Sequence, residues 1–259
     1  MTAPRSWSSD VEVLEVRRVR LVEVAAPGLS EDERLVMDGA WNAAVRANPS
    51  LFDGPVAASA GLVREEPDGV VLSWMRTTYR HFALRRAPGV TAWLPALFVT
   101  VVQPSDDGRM LVGRQSSWTA APGRWQLPGG SIEPPAPHAP LDIAALRRNA
   151  VRELAEETGN DATPDDLALW LVTRGVRGSV GVVFRAPSRP ADWLLERHAA
   201  LGASERAKGR EPELERVRLV RAPEELSGLG GPCVDHLEPV VRRYAGMASG
   251  GEEQKPDGA

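Results

Sequence analysis

Arg152, Glu153, Glu156 and Glu157 stand within six consecutive positions of the stretch "RNAVRELAEETGND", Arg148 to Asp161. On a helix these three carboxylates share a sector of about 100°, with Glu153 and Glu157 one turn apart. Like charges at that spacing cost a few tenths of a kcal/mol per pair, and carboxylates at the negative end of a helix dipole lose another ~0.3–1 kcal/mol each. A bound cation removes both penalties. Hard divalent ions such as Mg²⁺ or Mn²⁺ take carboxylate, carbonyl and water oxygens, which are the donors available here. Ions so held can neutralise a diphosphate and activate water for attack on phosphorus.

The elements that must position these groups are legible on either side. Ile143, Leu146, Ala150, Val151 and Leu154 recur at three- and four-residue intervals, one apolar helix face, and Gly159 stops the helix. Ahead stands "PGRWQLPGGSIEPP", where Pro128, Gly129 and Gly130 make a tight turn after a short strand containing Trp125 and Leu127. An E-x-x-E-E pattern alone reads as a solvated helix end. The PGG turn before it and the TG after it favour the metal site.

Taken together, "GRWQLPGG" and "RELAEETG" resemble the Nudix hydrolase box, G-x5-E-x7-R-E-U-x-E-E-x-G-U with U apolar. The resemblance implies an α/β fold, a Nudix-type α/β/α sandwich with a mixed sheet, and divalent-metal cleavage of nucleoside diphosphates linked to another group. It implies that Glu153 and Glu157 coordinate Mg²⁺ (or Mn²⁺), that Glu156 coordinates metal or orients water, that Arg152 positions the carboxylates, and that the Gly129 carbonyl adds a ligand. Three departures stand out. Gly130 to Arg152 spans twenty-two positions instead of fourteen, so "EPPAPHAPLD" holds eight extra residues. Ala136 and Ala144 occupy the two counts for the first box glutamate, with Glu133 and Asp142 the nearby acids, and Asn160 takes the last apolar position.

Further upstream, "DGAWNAAVRANPSLFDGPVAASAG" and "RTTYRHF" resemble the animal Nudix proteins that split UDP-glucose into UMP and glucose 1-phosphate, whose box is also lengthened and degenerate. That points to a nucleotide-type small-molecule substrate, with Tyr79, Arg80 and His81 near uracil or phosphate and Arg114 and Arg124 within reach of phosphate. The plainer alternatives are a core Tyr79, a surface Arg80–His81 pair, and ordinary surface or salt-bridged arginines. Leu51 and Phe52 read as buried residues joining two modules. Glu205, Glu211 and Glu213 mark a segment where many Nudix proteins carry a further carboxylate, and His138, His198 and His236, lacking ligand spacing, read as surface residues. Rival functions are a Nudix hydrolase of ADP-ribose, a dinucleotide or coenzyme A, and a ligand-binding Nudix sensor without catalysis.

The chain has 259 residues, 42% of them hydrophobic, enough for a sizeable core. Its net charge of −4 gives no general attraction to nucleic acid or anionic membrane, although all but Lys208 and Lys255 of its 31 basic residues are arginines. Cys233, the one cysteine, excludes an intramolecular disulfide. No apolar run reaches the ~20 residues of a membrane span, and "MTAPRSWSSDVEV" lacks a signal-peptide core, so a cytoplasmic protein is expected. The β-branched run Val11 to Ala25, a helix capped by Ser30 and Glu33, and two strands about "EPDG" suggest an N-terminal α/β module over 1–90. A Nudix domain over 91–246 and a disordered tail over 247–259 follow.

Overall fold

A computed structural model describes residues 10–87, 89–137 and 139–250. The strands are β1 (Glu12–Glu15), β2 (Arg18–Glu23), β3 (Pro55–Glu65), β4 (Gly69–Thr78), β5 (Leu97–Val102), β6 (Met110–Gln115), β7 (Trp125–Gln126), β8 (Gly129–Ser131), β9 (Ala168–Arg174), β10 (Val180–Arg185) and β11 (Leu214–Val220). The helices are α1 (Glu31–Ala47), α2 (Ile143–Thr158), α3 (Ala191–Ala207) and α4 (Leu237–Gly250), with a 3-10 helix at Tyr79–Arg86.

The central sheet runs β1-β9-β10-β5-β8 and is mixed: β10 and β5 are parallel, the other neighbours antiparallel. Period-two alternation divides its residues between two cores. Val99, Val101, Val182 and Phe184 meet Leu146, Ala150 and Leu154 of α2 on one side, while Val102, Leu171 and Val183 meet Val240 and Val241 of α4 on the other. The sheet is therefore covered by helix on both faces, and its parallel pair is buried almost throughout, as a doubly covered sheet requires. The α/β/α sandwich expected from the sequence is the fold.

The run from Val11 does form two strands, and they part company. β1 joins the edge of the central sheet against β9, whereas β2 pairs in parallel with β4 in the sheet β2-β4-β3. Trp74 and Leu72 of β4 still reach the α2-side core. In α1, Ser30 and Glu33 form the expected capping box, and Asn48 closes the far end. The Asn48 side chain also donates to the carbonyls of Trp118 (2.7 Å) and Thr119 (3.1 Å), tying α1 to the loop between β6 and β7.

One element was not foreseen, and three expectations are corrected here. Residues 191–207, unassigned from sequence, form α3, whose Leu194 is buried with Leu111, Leu214 and Val217 while the adjacent Leu195 is exposed. Phe52 is not buried but 79% exposed. His81 and His198 are buried, their Nε2 atoms bonded to the carbonyls of Ala92 (3.0 Å) and Leu214 (2.9 Å); burial holds the His198 imidazole below its ordinary pKa. Residues 247–250 continue α4. The remainder of the expected tail, the start of the chain and His138 lie outside the described residues. Among the described residues no helix is long and apolar enough to cross a membrane.

Candidate active site

α2 carries the acidic cluster. Asp142 caps its start, accepting from the Ala145 N–H at 2.7 Å, and Gly159 ends it at φ 74°. Asp142 is thus spent as a helix cap, and Glu133 is the acid that reaches the cluster, 3.4 Å from Arg152 Nη2. The expected apolar face is in place, with Leu146, Ala150 and Leu154 fully buried. That orientation carries Glu153 and Glu157 inward too, and only Glu156 stays exposed.

The glycine turn meets α2 at this point. Gly129, at φ 151°, lies so close to β5 that a Cβ there would stand 2.2 Å from the Val99 carbonyl oxygen. At Gly130 a Cβ would stand 2.4 Å from Glu153 Oε2. Only glycine admits both the backbone conformation and the close approach. The Gly129 N–H donates to Glu157 Oε2 at 2.7 Å, and Gln115 Nε2 lies 3.5 Å from Oε1.

Burial dominates the electrostatics. It pushes the Glu153 carboxyl up to about 7, with Arg152 opposing and Glu213 reinforcing the rise. Glu157, fully buried, is raised well above the ordinary carboxylate range by burial and then by Glu213, against the opposing Gly129 N–H. Burial, with Glu156 next, also raises Glu213. Arg152 lies between the acids, 2.8 Å from Glu153 Oε1 and 3.1 Å from Glu156 Oε2, and donates to Asn149 at 3.1 Å. Among the described residues no three carboxylates or imidazoles already converge on one point. The donor set nevertheless fits a hard divalent cation: oxygens alone, two of the acids buried, and neighbouring carboxylates adding to the upward shift of Glu153, Glu157 and Glu213.

A cavity of about 920 Å³ opens over the turn, lined there by Gly129, Gly130, Gln115 and Glu213. Its walls carry Phe98, Trp118 and Tyr79, and His236 is tilted against Phe98 at 4.9 Å between centroids. His236, expected on the surface, is thus a cavity residue. Glu156 faces a neighbouring cavity of about 700 Å³ with Glu205, Glu211 and Glu213; the two share Ser50, Trp118 and Glu213. Of the three later acids, Glu205 is engaged by Lys208 (3.0 Å) and Arg210 (2.6 Å), while Glu213 joins the box acids.

The remaining candidates divide. Tyr79 and Arg124 line the main cavity, although Arg124 also donates to the Cys233 carbonyl at 3.3 Å. Arg80 turns away, paired with Asp38 (3.2 Å) and Asp53 (3.5 Å), and Arg114 pairs with Glu215. Neither lines the cavity. The final box position, Asn160, is buried but polar, donating to Gln103 at 2.6 Å. Phe98, Trp118, Arg85, Arg86 and Arg177 line the cavity without any motif that would have marked them.

A mixed sheet between helices, with an acidic helix end pressed against a glycine turn, is the architecture of the Nudix fold. The family model for the NUDIX domain matches residues 94–236, and the chain belongs to that family. Both "NPSLFDGP" and "TTYRHF" precede the matched region. No curated protein matches the chain. Similar solved structures include a MutT protein from Methanosarcina mazei Go1 (21% identity over 62% of this chain and 97% of that one, TM-score 0.38). Shewanella oneidensis NrtR complexed with a 27mer DNA (20% identity, 60% and 63%, TM-score 0.38) is another. A third is the NUDIX domain of Shewanella oneidensis NrtR complexed with ADP ribose (18% identity, 60% and 88%, TM-score 0.37).

Proposed function

We propose that the chain is a divalent-metal-dependent pyrophosphohydrolase that splits a nucleoside diphosphate sugar, with UDP-glucose or UDP-galactose giving UMP and the sugar 1-phosphate. The observation that carries this reading is the burial of Glu153 and Glu157 behind the Gly129–Gly130 turn, which itself lines a nucleotide-sized cavity. Buried carboxylates whose pKa is raised by burial and by neighbouring acids are suited to a cation.

When bound, Mg²⁺ or Mn²⁺ would supply positive charge to the diphosphate oxygens and lower the pKa of a water. Glu153, Glu156, Glu157 and the Gly129 carbonyl would hold it, with Glu213 adjacent. The Gly129 N–H fixes one oxygen of Glu157, and Arg152 orients Glu153 and Glu156 from the side. Phe98, Trp118 and Tyr79 offer ring faces and edges to a base. Support for the nucleotide-sugar substrate comes from the upstream motifs: Ser50, Leu51, Phe52 and Tyr79, which belong to them, all line the cavity. A ligand-binding module without turnover is the competing reading, favoured by the lack of three converging acids among the described residues.

Incubation with Mg²⁺ in ¹⁸O-labelled water, across nucleotide sugars, ADP-ribose, dinucleotides and coenzyme A, tests the proposal. Label should appear on the phosphate of UMP or of the sugar 1-phosphate, because three glutamates crowded on one helix cannot flank a sugar carbon as glycosidase carboxylates do. Free glucose carrying label on its C1 hydroxyl would overturn it, and no turnover of any compound would select the binding module.

A further inference from the structure

The main cavity has a second charged end. Arg85, Arg86 and Arg177 line it, and among the described residues none of the three has a carboxylate partner. Arg85 is the most constrained. Its Nε and Nη2 both donate to the Leu94 carbonyl, at 3.0 and 2.8 Å, and its guanidinium stacks 4.3 Å from the Phe82 ring centroid. Burial draws its pKa down to about 10, and Arg177 is close enough to lower it further. A half-buried guanidinium held rigid and facing a like charge is costly unless an anion completes it. Arg86 and Arg177 are exposed at the rim, free to close on one. Asp235 shares the cavity, but its carboxylate is engaged by His236 at 3.3 Å, which holds its pKa below the ordinary range.

This end is not the diphosphate site. Gly129 lies opposite Thr100 on β5, whereas Arg85 is anchored at Leu94, before β5 begins at Leu97. Arg177 sits in the turn joining β9 to β10, and β10 starts at Val180, paired with Leu97. The three strand steps from Leu97 to Thr100 alone separate the two ends by about 10 Å, more than a single diphosphate spans. The wall between them is aromatic, with Phe98 and Tyr79 available to a base or ribose.

We propose that Arg85, Arg86 and Arg177 form an anion subsite for a second charged group on the substrate, a phosphate monoester or carboxylate separated from the scissile diphosphate by the rest of the molecule. The proposal rests on the hydrolase reading and adds to it a preference, over neutral nucleotide sugars such as UDP-glucose, for substrates with a second anionic centre, such as a nucleoside diphosphate joined to an acidic sugar or one with an additional ribose phosphate. Arg85 supplies a fixed guanidinium, and the two rim arginines supply adaptable charge with bidentate reach.

Calorimetric titration in excess chelator, where turnover is silent, tests this with matched pairs: UDP-glucose against UDP-glucuronate, NAD against NADP, dephospho-coenzyme A against coenzyme A. In at least one pair the more anionic member should bind the wild-type protein tenfold or more tightly than its partner. That advantage should fall below twofold in the Arg86→Gln/Arg177→Gln variant, whose two exposed side chains make no contact on which the fold depends. Equal binding within every pair, a preference that survives the double substitution, or no binding by any member overturns the subsite. The hydrolase reading fails separately, by absence of turnover of the same compounds with Mg²⁺.

Discussion

Replacing Glu153 by glutamine in the metal-free protein isolates the electrostatic penalty built into the site. The folded-state pKa of this carboxyl is raised, from 4.5 to about 7, so the sign is opposite to that of an ion-paired acid. Its contribution to stability is fully present below pH 4.5, is lost as pH rises toward 7, and is absent above. At 1.36 kcal/mol per pKa unit the loss is roughly 3 kcal/mol by pH 8. Glutamine mimics the protonated form and avoids that loss. In excess chelator, Glu153→Gln should therefore melt higher than wild type at pH 8, by up to about 10 °C at ~2–4 °C per kcal/mol, and within a degree or two of it at pH 4.5. Adding Mg²⁺ at about a thousandfold excess over Kd should reverse the order, because the wild type then gains about 4.1 kcal/mol of binding energy that the variant lacks. Scanning fluorimetry at both pH values with and without Mg²⁺ reads all four quantities. A variant that melts lower than wild type at pH 8 without metal would refute the reasoning, since Glu153 would then be a structural partner of Arg152.

Glu157→Gln should abolish hydrolysis while leaving the circular dichroism spectrum unchanged. Gly130→Ala should push the Glu153 carboxylate aside and lower kcat/KM by about 10²-fold with little change in melting temperature; unchanged kinetics would show that this carboxylate needs no fixed place. Gly129→Ala, which meets the Val99 carbonyl and takes an unfavourable φ, should cost ~2–4 kcal/mol in urea denaturation. Removing eight residues from the proline-rich loop after β8 should alter relative rates across the substrate panel, because Arg76 ties that loop to β4 through the carbonyls of Pro135 and Ala136 (3.5 Å). Unchanged ranking would reduce it to a surface insertion.

The parts of the site that are local in sequence were legible there. α2 announced itself through Leu146, Ala150 and Leu154, its stop through Gly159, and the turn through two adjacent glycines. That Glu153 and Glu157 would be buried follows from the same periodicity, since they share the helix side of Ala150 and Leu154. Telling Glu213 from Glu205 was beyond the sequence, because Glu213, just ahead of β11, comes to the acids of α2 across more than fifty residues, and Glu205 is set apart by the Lys208 and Arg210 that neutralise it. α3 escaped notice for a different reason. It has no side-chain cap at Pro190, and its apolar residues include exposed Leu195 beside buried Leu194, so no clean stripe marks a helix. Arg85, Arg86 and Arg177 were invisible among so many other arginines; among the described residues the absence of a carboxylate partner sets them apart.

The placement of β1 has a consequence for synthesis. Glu12–Glu15 pair with Leu171–Arg174, and Glu15 is bound by Arg243 in the middle of α4. A ribosome must therefore make more than half of the Nudix region before the first strand finds its neighbour, and the first half of α4 before the ion pair of Glu15 forms. Contacts of such long sequence separation fold late and slowly. Until then the edge of β9 is an open row of amides and carbonyls, so nascent chains should depend on chaperones at that stage more than the finished protein's core would suggest.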